Sequence, residues 1–349
     1  MISSRWPEFL QSYLPQHPPA VFAPMAGYGD SPFRRLVRRY GSPWVTTELV
    51  SAEGLMRGSY LTLELLKRLP GEEPVGIQLF TSDPVIMAEA VSKAKEMGFL
   101  FIDINAGCPV PVVVKSGGGS ALLKNLTKLE TLLRAAVSVS DRVTLKYRLG
   151  WDAESIVACE VAQLAESCGI RLLALHCRTR KQAYSGEADW SWLVRVREVT
   201  TLPILGNGDV RSGEDAVRMI RETGCDGVMI GRGALGKPWV FNEVNRALAR
   251  MVGLEVPVPQ LIDPWAVLAE HVTSMAEWYG DSRGLLEMRK HVVCYLKGVP
   301  GAARLRERAM SLATHADLMD WLASVARDLS APGGPVTLSR PEEGLECRM

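Results

Sequence analysis

Residues 203–233 read PILGNGDVRSGEDAVRMIRETGCDGVMIGRG, and this stretch decides the fold. Two short apolar runs, Pro203–Leu205 and Gly227–Ile230, flank a helical pattern from Ser212 to Thr223 that places Ala216, Met219 and Ile220 on one side. Each run ends in a glycine-bearing turn, Gly206-Asn207-Gly208-Asp209 after the first and Gly231-Arg232-Gly233 after the second. Apolar strands joined through a helix belong to a parallel sheet buried on both faces. Upstream the same unit recurs, with strands expected at Ala20–Ala23, Trp44–Thr47, Val75–Leu79, Leu100–Ile104, Val143–Tyr147 and Leu172–His176. Between them, Asp83–Gly98 has a capping Asp83, Pro84 at the first helical position and an apolar face of Met87, Val91, Ala94 and Met97. A further helix is expected from Thr127, with Thr127 and Glu130 as a capping box. Eight such units in roughly 230 residues indicate a closed (β/α)8 TIM barrel. A doubly wound dinucleotide fold would want a GxGxxG turn after an early strand, and no early strand has one.

The pattern changes after Arg250. Proline and aliphatics mark a linker at 251–263. Helical spacing alone follows in Trp265, Leu268, Val272, Met275 and Tyr279, and in Leu285, Met288, Val292 and Leu296, with Thr314 and Asp317 capping a last helix. The expected organisation is an N-terminal extension (1–19), the barrel (20–250), the linker, a small all-α helical domain (264–330) and a disordered tail (331–349). A net charge of +1 means that any nucleic-acid surface must be a local patch. The seven cysteines are odd in number and form no CxxC pair, which argues against a disulfide framework or a metal site and for a reducing, cytoplasmic setting. No apolar run approaches the ~20 residues of a membrane span.

In a barrel, polar residues just past the strand ends face the active site. Here every strand contributes some: Pro24, Met25 and Ala26; Glu48; Gln78; Asn105 and Cys108; Lys146 and Arg148; His176 and Arg178; Asn207, Gly208 and Asp209; Gly231 and Arg232. The turns after strands 7 and 8 suit a phosphate, because glycine lets backbone N–H groups approach an anion and Arg232 adds charge. Lys146 either stabilises negative charge on an electron-accepting ring or pairs with Asp103 or Glu48. Gln78 suits the amide edge of a flavin or pyrimidine, or is a bonded core glutamine. His176 binds phosphate or substrate, or is structural. Cys108, mostly protonated at neutral pH with a reference pKa of about 8.5, can serve as a general acid, whereas Cys159, Cys168, Cys225 and Cys294 read as small buried hydrophobes.

Together these motifs resemble the tRNA-dihydrouridine synthase family. The matching stretches are Ala23-Pro-Met-Ala-Gly27 with Ser31-Pro-Phe-Arg34, Ile104-Asn-Ala-Gly-Cys-Pro109, Gly119-Ser-Ala-Leu-Leu123 and Leu145-Lys-Tyr-Arg-Leu-Gly150. They continue with His176-Cys-Arg-Thr-Arg180, Ser185-Gly-Glu-Ala188, Gly206-Asn-Gly-Asp209 and Ile230-Gly-Arg-Gly233. In the helical part, Arg289-Lys-His291, Tyr295-Leu-Lys297 and Pro300-Gly-Ala-Ala303 are similar to the bacterial B-type branch.

The resemblance implies an FMN-binding barrel with a helical tRNA-binding domain, a monomer that reduces chosen uridines of tRNA to 5,6-dihydrouridine with NADPH as electron source. Pro24, Met25, Ala26, Gln78, Lys146, His176, Asn207, Gly208, Asp209, Gly231 and Arg232 would hold FMN, with no metal. Hydride would reach uracil C6 from reduced FMN and a proton C5 from Cys108, on a uridine flipped out of the RNA. Asn105, Arg148 and Arg178 would meet the uracil or nearby RNA, and Lys290 and Arg304 would meet its phosphates. Two departures stand out: the branch usually has a lysine and an asparagine within Val112-Val113-Val114, and threonine is common where Gly29 stands. The competing readings are an FMN barrel acting on a free small molecule, of the dihydroorotate dehydrogenase type, and a flavin-free tRNA-binding barrel.

Overall fold

In a computed structural model, residues 5–257 and 261–330 are described. Eight parallel strands form one sheet: β1 (Ala20–Phe22), β2 (Val45–Ser51), β3 (Val75–Phe80), β4 (Ile102–Ala106), β5 (Val143–Arg148), β6 (Leu173–His176), β7 (Ile204–Asn207) and β8 (Gly227–Ile230). The ladder runs β1-β8-β7-β6-β5-β4-β3-β2. β1 and β2 adjoin to complete the ring, where the Phe22 N–H donates to Ser42 Oγ at 3.1 Å. The chain is thus a (β/α)8 barrel with further helices after it. Several strands run one to four residues farther at their carboxyl ends than periodicity suggests. β5 gains Arg148, and β7 gains Gly206 and Asn207. Glycine and polar residues there looked like turn, but they sit in ladders such as Arg148 with His176 and His176 with Asn207. Strand pairing overrides local propensity.

Helix starts follow side-chain chemistry. Asp83 caps Pro84–Glu96 by accepting from Val85 N and Ile86 N, and Ser212 caps Gly213–Thr223 by accepting from Asp215 N. The expected Thr127–Glu130 box is not formed. The cap is Asn125, which accepts from Lys128 N, so that Leu126–Val137 starts earlier and Glu130 pairs instead with Arg134. The Ser31–Arg34 motif is structural. The Arg34 guanidinium, 1% exposed, bonds Glu72 at 2.6 Å, and Ser31 Oγ and Leu69 N–H donate to the same carboxylate. A buried ion pair needs such added donors to balance its desolvation. The extension ahead of β1 packs as core: Trp6 meets Trp44 edge-on at 6.0 Å, and Leu10 is fully buried.

Contacts divide the chain into two compact units, Met1–Gly233 with Val240–Val256, and Ala234–Trp239 with Pro257–Met349. The second contains helices Pro264–Tyr279, Asp281–Tyr295, Ala302–Ser311 and His315–Ser330. Thr314 and Asp317 form a reciprocal cap, each side chain accepting from the other's backbone N–H. The short segment Ala234–Trp239, counted with the barrel by sequence, groups with these helices. The expected tail at 331–349 lies outside the described residues. Cys108, Cys159, Cys168, Cys177 and Cys225 are free thiols. No described helix is long and apolar enough to cross a membrane.

Asn125→Ala should lower stability by about 1 kcal/mol, and Thr127→Ala by only a few tenths, since one side chain caps the helix and the other does not. Urea unfolding of the two variants distinguishes the caps; equal losses would restore the box.

Candidate active site

Four cationic side chains converge at the carboxyl ends of β5 to β8. Lys146 is half-buried, and its Nζ donates to Asn207 Oδ1 at 3.2 Å, while Asn207 Nδ2 donates to Met229 O at 2.7 Å. Burial, then the charge of Arg148, push the ammonium down to about 8; attraction to Asp103 opposes them. Arg148, 2% exposed, donates to Gly107 O, Thr179 O and Ala183 O. One guanidinium thereby ties the loops after β4 and β6 to the end of β5, and burial brings it down to about 10. Arg178 pairs with Asp209 at 2.7 Å and also donates to Ser185 O and Gly186 O. Arg232 reaches Asp209 at 3.4 Å and lies over the Tyr184 ring at 5.1 Å.

His176 sits among these charges. Burial first, then Arg148, Lys146, Arg178 and Arg232, depress its pKa well below the ordinary value, so it is neutral at physiological pH. Its Nε2 lies 3.5 Å from Arg178 Nη1 and can only accept there, which puts the proton on Nδ1. Asp209 adopts φ +58° and also accepts from Ala188 N, so its carboxylate anchors the mouth. Gly208 has φ +124°, and a Cβ there would come 2.6 Å from Ala188 Cβ; this turn requires glycine.

A second network crosses β3, β4 and β5. Thr144 Oγ1 donates to Asp103 Oδ1, Gln78 Nε2 to Asp103 Oδ2, and Asn105 Nδ2 to Gln78 Oε1, at 2.6, 2.7 and 2.9 Å. Asn105 Oδ1 then accepts from Gly107 N and Cys108 N at 3.2 and 2.9 Å. The Cys108 carbonyl accepts from both Ser120 N and Ser120 Oγ. A Cβ on Gly119 would come 2.8 Å from that carbonyl, so the glycine run lets the loop close. Burial raises the Cys108 thiol pKa despite Arg148 and Lys146, and the group is half-buried and protonated at neutral pH.

The structure therefore brings together Gln78, Asn105, Cys108, Lys146, Arg148, His176, Arg178, Asn207, Gly208 and Asp209. Pro24, Met25 and Ala26 follow β1, where Gly27 N–H donates to Glu48, and a Cβ on Gly231 would come 3.1 Å from Met25 Sδ. Arg148 and Arg178, expected to meet the uracil or nearby RNA, are both engaged within the protein. Their donors go to backbone carbonyls and Asp209, which makes them ties between loops. In the helical unit Lys290 is half-buried and paired with Glu287, whereas Arg304 is exposed. Val112 is 72% exposed beside the cysteine loop. Sequence reasoning missed Tyr184, whose ring is 5.3 Å from Arg148 and 6.2 Å from the His176 ring. Its one signal was an aromatic between the motifs His176–Arg180 and Ser185–Ala188 past β6.

The cradle suits an anionic, ring-bearing cofactor. Lys146, Arg148, Arg178 and Arg232 face one fully engaged carboxylate, Asp209, and a buried Asp103 whose acidity burial weakens. Buried cations in excess are relieved by a bound anion.

The family model described as dihydrouridine synthase matches residues 21–329. A probable tRNA-dihydrouridine synthase 1 from Synechocystis is 39% identical over 92% of this chain and 91% of its own length. The tRNA-dihydrouridine synthase B of Pseudomonas aeruginosa is 38% identical over 82% of this chain and 86% of its own. Among solved structures, histamine dehydrogenase from Rhizobium sp. 4-9 has a TM-score of 0.51 at 14% identity, covering 74% of this chain and 49% of that one. That likeness concerns the fold.

Lys146 gives a signed test. In the cofactor-free protein its folded pKa of about 8 lies below the unfolded 10.5, so the unfolded chain binds the proton more tightly between those values. Stability should climb as pH rises from about 8 to 10.5, by on the order of 3 kcal/mol relative to Lys146→Met, and the variant should be the more stable at pH 7. Urea unfolding across that range decides. A variant less stable at pH 7 would show that the bond to Asn207 and the attraction to Asp103 outweigh desolvation.

Proposed function

Since the chain belongs to the dihydrouridine synthase family, we propose that it reduces uridines in tRNA to 5,6-dihydrouridine with FMN as bound cofactor and NADPH as electron donor. The observation that carries this reading is a protonated thiol at Cys108, fixed through Asn105 and Ser120 beside a buried cationic mouth. Bound FMN supplies the hydride for uracil C6.

The residues fit that group. Gly208, Gly231 and Arg232 would meet its phosphate, with neutral His176 donating through Nδ1, and Asp209 would hold Arg178 and Arg232 in place. Lys146 would lie by the ring and stabilise negative charge; a neighbouring anion would raise its pKa again. Gln78 has a spare N–H beyond its bond to Asp103 and would meet an amide edge, with Pro24, Met25 and Ala26 lining the ring.

Hydride addition at C6 leaves enolate-like charge on C5 and the neighbouring C4 carbonyl oxygen, and Cys108 gives the proton to C5. The resulting thiolate lies near Arg148 and Lys146, whose charges stabilise it. The uridine must leave its stack to reach this site, and the closed loops after β4 and β6 exclude water from it. Arg304 on helix Ala302–Ser311 would serve RNA phosphates. Lys290 would contribute less, because Glu287 already pairs with it.

Cys108→Ala should retain flavin content, reduction by NADPH and tRNA affinity, while dihydrouridine formation falls by about 10²–10⁴-fold. Single-turnover reoxidation of reduced enzyme by unmodified tRNA, followed by flavin absorbance, checks this; a wild-type rate with dihydrouridine formed would make Cys108 structural. Arg304→Glu should weaken tRNA binding and lower its salt slope by about one, with a smaller effect from Lys290→Glu. Equal binding by all three proteins would place the RNA elsewhere.

A further inference from the structure

We infer that Lys124 and Arg180, drawn against the indole of Trp151 on the barrel rim, form a binding site for a backbone phosphate of the RNA. The inference rests on the tRNA-modifying reading above and adds a contact made by the barrel unit itself. Lys124 Nζ lies 4.7 Å and the Arg180 guanidinium carbon 4.6 Å from the Trp151 ring centroid. The three residues come from the loops after β4, β6 and β5 respectively, all at the catalytic end.

The frame is fixed by backbone. Arg180 N–H donates to Gly150 O and Lys181 N–H to Trp151 O, each at 2.9 Å, while Gly150 and Ile156 form an antiparallel bridge. The turn Gly119–Lys124 that delivers the lysine also carries Ser120, which holds the Cys108 carbonyl. The position of the cation is therefore tied to the loop that presents the thiol.

Charge bookkeeping separates this pair from its neighbours. Arg178 and Arg232 have Asp209, and Lys181 has Asp152 at 2.9 Å. Among the described residues neither Lys124 nor Arg180 has a carboxylate in ion-pair range, and Arg180 Nε is buried with no hydrogen-bond partner. Glu154, exposed on the same loop, lies with Asp152 and Lys181. Gathering two like charges on one ring is unfavourable. The indole ring offsets part of that cost, and an anion bound by the cations would offset the rest. With its ring taken by cations, Trp151 is a poor stacking platform for a base, so the ligand chemistry is phosphate. NADPH carries phosphate too, but Lys124 is exposed on the outer rim, open to a long polyanion.

The test uses full-length, flavin-loaded protein and the double variant Lys124→Gln/Arg180→Gln. The tRNA salt slope should fall by about two, one per cation, and KM for tRNA should rise about 10-fold, with kcat at saturating tRNA and the NADPH half-reaction unchanged. Lys124→Arg and Arg180→Lys, which keep the charge, should keep the slope. An unchanged slope in the double variant would overturn the site. So would a raised KM for NADPH with unchanged tRNA binding, which would give the phosphate to the dinucleotide, or an equal loss in the charge-keeping variants, which would make the contact one of packing. Wild-type protein that oxidises NADPH yet forms no dihydrouridine in tRNA would instead overturn the functional reading itself.

Discussion

Buried positive charge at the barrel mouth is the constraint around which the loops are arranged. Lys146, Arg148, Arg178 and Arg232 approach one another near the ends of β5 to β8, and a protein interior does not tolerate such a group without compensation. The compensation is of three kinds. Asp209 pairs with two of the guanidinium groups, backbone carbonyls of the loops after β4 and β6 accept from Arg148 and Arg178, and the Tyr184 ring lies against Arg148 and Arg232. Each arrangement also fixes a loop. The carbonyls of Gly107, Thr179, Ala183, Ser185 and Gly186 are held where they are because arginines need acceptors there. The ammonium of Lys146 is compensated only in part, by Asn207 and the attraction of Asp103, which is why its pKa falls and why an anionic ring suits the cavity.

The thiol is placed by a different kind of interaction, a directional relay of side-chain amides. Thr144 donates to Asp103, which also accepts from Gln78; Gln78 in turn accepts from Asn105, whose carbonyl oxygen holds the Cys108 N–H. Every carboxylate and amide oxygen in this relay has a donor, so the network has one favoured arrangement. Gln78 and Asn105, read separately as ligands for flavin and uracil, are thus neighbours in one relay. A cofactor against Gln78 and a base against Asn105 would share the same ladder that positions the acid.

Two classes of residue carry the family's motifs for different reasons. Ser31 and Arg34 are conspicuous in sequence, yet they satisfy Glu72 in the core beside β1. Cys108, His176 and Lys146 face the mouth. Motif spacing does not separate these roles, because a buried ion pair and a reacting group place equally strict demands on residue type.

The sequence by itself determined the barrel, since apolar runs with period-matched helices between them admit few other closures. It also determined which end is active, because polar residues past all eight strands fall on one side of a parallel sheet. Caps at Asp83 and Thr314 were legible because a capping side chain acts within three residues of itself. The cap at Asn125 was not, since Thr127 offered an equally good local pattern. The partners of Arg148, Arg178, Lys146 and Trp151 were decided only by tertiary structure. Their acceptors and rings lie on other strands and loops, between 2 and 61 positions away for the hydrogen bonds, and strand register, not local chemistry, brings them within reach. The neutrality of His176 and the upward shift of the Cys108 thiol were equally out of reach of the sequence, because desolvation depends on what surrounds a group in space.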